Sequence, residues 1–203
     1  MSKVKLSYFD FSGGRGEACR LALFLGGVDF VDDRVKFEDW NEKKPSAPYG
    51  AMPILEIEGK GILAQSNAIL GLIGSKHSLL PEDFFEAAKH HAVLNAVEEL
   101  DLRIGLTMSM QDEELKKKTR EEIAENYMTS WATNLQKQVH GPFVSGENIS
   151  VADLKIFTTV RWVRKGVLDY IPSNIFNEHA KLLNLVEAVE NHPKIIEWYK
   201  DKN

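Results

Sequence analysis

A small α/β domain followed by an all-α domain is the fold class this sequence predicts. Three observations carry that reading. Strand and helix signals alternate through the first third of the chain, a proline-bearing segment Leu79-Leu80-Pro81-Glu82-Asp83 breaks the pattern, and no convincing strand follows it.

The elements follow in order. Val4 to Phe9 carries apolar residues at every second position, the period of a half-buried strand. A glycine-rich stretch then leads into Glu17 to Leu25, whose apolar density suits a buried helix ended by Gly26-Gly27. Val28 to Phe37 reads as a second strand, and Asp39 to Ala47 as a polar loop or short helix. Met52 to Gly59 reads as a strand entering a turn at Glu58-Gly59, and Ile62 to Ala64 as another short strand. Ser66 is a suitable N-cap for a helix over Asn67 to Ile73. Beyond the break, Phe84 to Met110 and Asp112 to Val139 carry long helical patterns. Ser150-Val151-Ala152-Asp153 is a capping box, with Ile149 and Leu154 at the staple positions of the helix it starts. Lys181 to Lys202 supplies one or two more helices around His192-Pro193, and Phe37 and Phe84 read as dimer anchors or, more simply, as core residues.

With 25 Lys+Arg against 30 Asp+Glu in 203 residues, the chain has a formal net charge of −5 and lacks the field of a general nucleic-acid binder. Cys19 is the only cysteine, which excludes an intrachain disulfide, a CxxC redox pair and a cysteine-based zinc site. His90 and His91 are adjacent on a helical pattern and point in different directions, so no metal site is expected. The N-terminal residues lack a continuous apolar stretch, and no run approaches the roughly 20 residues of a membrane span. The expectation is a cytoplasmic protein without nucleic-acid or membrane partners.

Four motifs, taken in order and spacing, point to a family. They are Tyr8-Phe9 with Arg15-Gly16-Glu17; Trp40 with Lys44; Met52-Pro53-Ile54-Leu55 leading into Gln65-Ser66-Asn67-Ala68-Ile69; and Ser150 to Asp153. Together they resemble cytosolic glutathione S-transferases, most closely the sigma-like group that includes haematopoietic prostaglandin D synthases, over nearly the whole chain. The resemblance implies a thioredoxin-like glutathione-binding domain at residues 1–78, a linker at 79–84, an all-helical domain at 85–203 holding much of the electrophile pocket, and a homodimer. It also implies glutathione as co-substrate and attack of its thiolate on a hydrophobic electrophile, with hydroperoxide reduction or prostaglandin-type isomerisation as related activities.

Glutathione offers a thiol, two carboxylates and an amine, so its site needs anion contacts, a cation contact and a group that favours thiolate. An unperturbed thiol is ionised only to a few per cent at pH 7, and lowering its pKa by about two units requires roughly 2.7 kcal/mol. One hydrogen bond to the charged sulfur supplies about that much. Tyr8 is the candidate donor with Arg15 beside it; Ser12, in a loop one residue longer than the usual sigma-like pattern, is the rival. Ser66 with Gln65, at a helix start, suits the γ-glutamyl carboxylate. By the resemblance, Trp40 and Lys44 take the glycine carboxylate, Met52 before Pro53 pairs with the cysteinyl unit, and Asp101 reaches the γ-glutamyl amine across the dimer. The same resemblance puts Phe9, Gly14, Arg103 and Thr107 around the electrophile. A non-catalytic crystallin-like or hydrophobic-ligand-carrier protein on the same fold is the alternative, against which the retention of Tyr8, Trp40, Gln65 and Ser66 weighs.

Overall fold

A computed structural model describes residues 3–200. The chain packs as two compact units, one running to Ala87 and resuming at His192, the other formed by Ala88–Asn191. The break in packing thus lies a few residues beyond the 79–84 segment, and the C-terminal helix packs with the first unit rather than with the helical one.

In the first unit, β1 (Val4–Phe9), α1 (Gly14–Leu25), β2 (Val31–Val35), the short α2 (Trp40–Lys43), β3 (Ile54–Ile57), β4 (Gly61–Ala64) and α3 (Ser66–Lys76) follow one another. The sheet order is β2-β1-β3-β4, with β1 and β2 parallel and the other two pairings antiparallel. This is the four-stranded mixed sheet with helices expected of a thioredoxin-like domain. Leu6, Leu55, Leu21, Leu23, Ile69 and Leu70 form its buried centre, contributed by both the strands and the helices packed on them. Residues Val28–Phe30, expected as strand, are outside β2 because β1 offers partners only from Lys5, opposite Val31, onward. α1 starts at Gly14, earlier than its apolar run indicates, since glycines carry no periodic signal. The last helix of the chain, here α9 (Pro193–Tyr199), lies against α1: Trp198 packs with Phe24 and Phe30, and Lys194 Nζ donates to the Leu25 carbonyl at 3.0 Å.

The second unit is helical. α4 (Phe84–Thr107) leads into it, followed by α5 (Glu113–Ile123), a π turn over Ala124–Met128, α6 (Thr129–Leu135), α7 (Val151–Arg164) and α8 (Ala180–Glu190). α7 is its centre, with Leu154, Ile156, Phe157, Val160 and Val163 fully buried. The capping box at its start forms as the sequence predicts. Asp153 accepts from Ser150 N at 2.8 Å, Ser150 Oγ at 2.6 Å and Val144 N at 2.7 Å. Burial pushes the Asp153 carboxyl above the ordinary carboxylate value, and those hydrogen bonds pull back against it.

Candidate functional site

Strand register gathers the first unit's candidates at one end of the sheet. Phe9, at the end of β1, pairs with Val35, from which the chain runs on to Trp40. Ser7 pairs with Ile54, so Pro53 and Met52 lie at that same end; Ile54 pairs with Ala64, which puts Gln65 and Ser66 there too. Tyr8, Trp40, Met52, Pro53, Gln65 and Ser66 therefore share the edge from which α1 and α3 begin.

Tyr8 is buried, with 7% of its surface exposed, and it sits under the first turn of α1. The backbone of Gly16 touches its ring so closely that a Cβ there would fall 2.1 Å from Tyr8 Cγ, while one on Gly14 would fall 2.7 Å from the Tyr8 hydroxyl oxygen. The absent side chains at 14 and 16 are what let the phenol reach the N-terminal turn of α1, where main-chain N–H groups and the helix dipole favour negative charge. Arg15 lies between those glycines, half-buried, and Ser12 is half-buried in the preceding loop.

An aromatic group stands beside Tyr8. Phe9 stacks on Phe37 with ring centres 4.5 Å apart and meets the Trp40 ring edge-on at 5.8 Å, and Phe11 lies 5.7 Å from Tyr8. Phe37 is 67% exposed and Phe84 92% exposed, so neither is the core residue the sequence indicates. Lys43 pairs with Asp33 at 3.5 Å, whereas among the described residues no carboxylate lies within ion-pair distance of exposed Lys44. The Met52–Pro53 peptide is cis. Ser66 is not the N-cap: it is the first residue of α3, buried, while Gln65 holds the cap position at φ 73°. A left-handed glutamine turns the chain sharply from β4 into α3 and leaves the Gln65 side chain exposed at the sheet end.

Beneath Tyr8 is a buried charge network that the sequence reading missed. Arg20, fully buried on α1, donates to Asp32 Oδ1 at 2.7 Å and pairs with Glu17 at 3.2 Å. It also donates to the carbonyls of Phe11 at 2.9 Å and Phe9 at 3.1 Å, spanning the turn that follows Tyr8, and its guanidinium carbon lies 5.6 Å from the Tyr8 ring centre. Glu17 accepts from Trp198 Nε1 at 3.0 Å, which ties α9 into the network. The available signal was an arginine inside the apolar run Ala18 to Leu25, where an unpaired charge is too costly to bury.

The remaining candidates belong to α4 in the second unit. Asp101 is buried and accepts from Thr159 Oγ1 at 2.8 Å. Arg103 is exposed and lies over the Tyr127 ring at 4.1 Å, and the Tyr127 hydroxyl donates to Glu99 at 3.1 Å. Thr107 is fully buried, its hydroxyl donating to the Ile104 carbonyl and accepting from Arg120 Nε at 2.8 Å, so it lines no open surface of this unit. Among the described residues no cluster of three potential metal ligands occurs, and no helix is long and apolar enough to cross a membrane.

The model of the glutathione S-transferase N-terminal domain matches residues 4–75, and that of the C-terminal domain matches residues 101–202. The chain belongs to the glutathione S-transferase family. Glutathione S-transferase 2 of Manduca sexta is 30% identical over 95% of this chain and 87% of its own length. Glutathione S-transferase 1 of Ascaris suum is 29% identical over 100% and 98%. The solved prostaglandin synthase D of Nilaparvata lugens superposes with a TM-score of 0.88 at 26% identity, covering 99% of this chain and 98% of that one. The expected family and fold are borne out, and with them a glutathione transferase that uses glutathione as co-substrate.

Proposed function

We propose that Tyr8 activates the glutathione thiol for attack on a hydrophobic electrophile. The observation that carries this reading is the Tyr8 hydroxyl placed at the Gly14 turn of α1. A thiolate accepting from that hydroxyl also sits in the positive end of the α1 dipole, and the two contributions act in the same direction. The sulfur then forms a bond to the electrophilic carbon, the leaving group departs with its electron pair, and the thiol proton passes to solvent. Arg15 supports the charge. Gln65 and Ser66 hold the γ-glutamyl carboxylate at the start of α3, Trp40 and Lys44 hold the glycine carboxylate, and the Met52 main chain pairs with the cysteinyl unit ahead of Pro53.

Lys44, which has no carboxylate within ion-pair distance among the described residues, supports the choice of cation over the Asp33-bound Lys43. In this reading residues 1–78 bind glutathione and residues 85–203 hold much of the electrophile pocket, where Phe9, Gly14 and Arg103 contribute and hydroperoxides or prostaglandin-type endoperoxides are further substrates. The working form is a cytoplasmic homodimer, with Asp101 serving the partner's γ-glutamyl amine.

Thiolate absorbance of bound glutathione, titrated against pH, tests the assignment. The native protein should show a thiol pKa about one to two units below that of free glutathione, and Tyr8→Phe should restore it. Loss in Ser12→Ala with Tyr8→Phe unchanged would transfer the role to Ser12. Failure of the native protein to bind glutathione would sink the reading.

A further inference from the structure

The side chain of Trp198 enters the charge network beneath Tyr8 from the other end of the chain. Its ring packs with Phe24 and Phe30 at centre distances of 5.2 and 6.3 Å, a contact that phenylalanine could also make. Its indole N–H does what phenylalanine cannot, donating to Glu17 Oε1 at 3.0 Å. That carboxylate is only 1% exposed, and its other oxygen, Oε2, accepts from Arg20 Nη1 at 3.2 Å. Glu17 is therefore held between a donor on α9 and a cation on α1.

Both holds bear on Tyr8. Glu17 follows Gly16, whose backbone abuts the Tyr8 ring, in the first turn of α1. Arg20 reaches the turn after Tyr8, donating to the Phe11 carbonyl at 2.9 Å and the Phe9 carbonyl at 3.1 Å, with its guanidinium carbon 5.6 Å from the Tyr8 ring centre. Without the indole N–H, Glu17 Oε1 is left buried and short of a donor. The carboxylate then gains by turning both oxygens to the Arg20 fork, which draws the guanidinium off the Phe9 and Phe11 carbonyls. The turn after Tyr8 loosens, and a less compensated negative charge lies near the phenol. Both changes disfavour a thiolate beside it.

We propose that Trp198 is a positioning residue for the Tyr8 chemistry: acting through Glu17 and Arg20, its indole N–H holds the phenol at the Gly14 turn, so α9 tunes the thiol as well as completing the packing of α1. This rests on Tyr8 being the thiol activator.

Trp198→Phe keeps an aromatic ring against Phe24 and Phe30 and removes the donor. Bound glutathione should then titrate about half a pH unit higher than in the native protein, roughly a threefold change in the ionisation constant. In the ligand-free protein, the NMR resonance of Tyr8 Cζ, assigned by its loss in Tyr8→Phe, should move. Glu17→Gln keeps an acceptor for Trp198 and removes the anion, so it should shift the thiol the opposite way; it carries the test if Trp198→Phe does not fold. Lys194→Met loosens α9 elsewhere, by removing the 3.0 Å bond to the Leu25 carbonyl, and should lower stability while leaving the titration and the Tyr8 resonance in place. Native values of both readouts in folded Trp198→Phe, an unchanged titration in Glu17→Gln, or an equal displacement in Lys194→Met would each overturn the proposal. If Tyr8→Phe itself leaves the titration unchanged, the assignment of Tyr8 fails instead, and the Tyr8 resonance in Trp198→Phe still decides whether the indole positions the phenol.

Discussion

Replacing Arg20 with methionine keeps the length and apolar stem of the side chain and removes its guanidinium. Four polar partners then lose their donor: Asp32, Glu17 and the carbonyls of Phe9 and Phe11. Asp32 still accepts from Arg34 Nε at 2.8 Å, and Phe11 is open enough to recruit water. Glu17 is the expensive one, because it is 1% exposed and keeps only the indole N–H of Trp198 as a side-chain donor among the described residues. Removing one member of a buried ion pair costs about 3–5 kcal/mol, which in a chain of this size lowers Tm by about 6–20 °C. Urea unfolding followed by tryptophan fluorescence measures the loss. The double variant Arg20→Met/Glu17→Gln removes the stranded charge while keeping an acceptor for Trp198, and it should be at least about 1 kcal/mol more stable than Arg20→Met alone. A loss below 1 kcal/mol in the single variant, or a double variant no more stable, would refute the argument that the network is held together by paired burial.

Other outcomes follow from the same geometry. Gly16→Ala should push the Tyr8 ring from its place, costing about 1–3 kcal/mol of stability and raising the pKa of bound glutathione in the thiolate titration. Asp153→Asn should lose about 1–3 kcal/mol, because an amide nitrogen would face either the Val144 or the Ser150 donors. The native Asp153 carboxyl, raised by burial, keeps a proton that the unfolded chain has released. Its contribution is therefore full below about pH 3.8 and is lost as pH rises through the native value, so the advantage over Asp153→Asn should narrow from pH 4 to 7 in urea titrations. His192 runs the other way: burial and then the Lys194 charge lower its pKa, and its Nδ1 accepts from Lys194 N at 3.3 Å at the start of α9. That stability is present above pH 6.5 and is lost as pH falls through the native value, so the protection of α9 amides, taken relative to their intrinsic exchange rates, should decline as pH falls below 6.5, and not in His192→Asn.

Legibility in the sequence tracked the range of the interactions involved. β1, α4 and the Ser150–Asp153 cap are local patterns, and each stands in the structure near its expected place. Boundaries that depend on a neighbour were less visible. Val28–Phe30 is apolar enough for a strand but lies before the first residue that β1 can pair, and Ser66 looks like a cap until the positive φ of Gln65 moves the helix start by one residue. Tyr8, Trp40 and Ser66 were singled out through their motifs, and strand register explains why they lie at one end of the sheet. The Arg20 network could not be read in this way, since Glu17 and Trp198 are 181 residues apart and no short motif joins them. Thr107, a helix position chosen by resemblance, is buried with its hydroxyl bonded to Ile104 and Arg120, partners that no short motif announces.

The packing of α9 with α1 also bears on the order in which the protein can mature during synthesis. A ribosome delivers the sheet, α1 and the residues around Tyr8 early, yet the indole that completes the Glu17 contact arrives with residue 198. The helical unit is spelled out between those two events, so the unit begun first is completed last. Until then Glu17 waits without its Trp198 donor, and a nascent chain halted anywhere before α9 would present a sheet-bearing unit whose core charge network is still open.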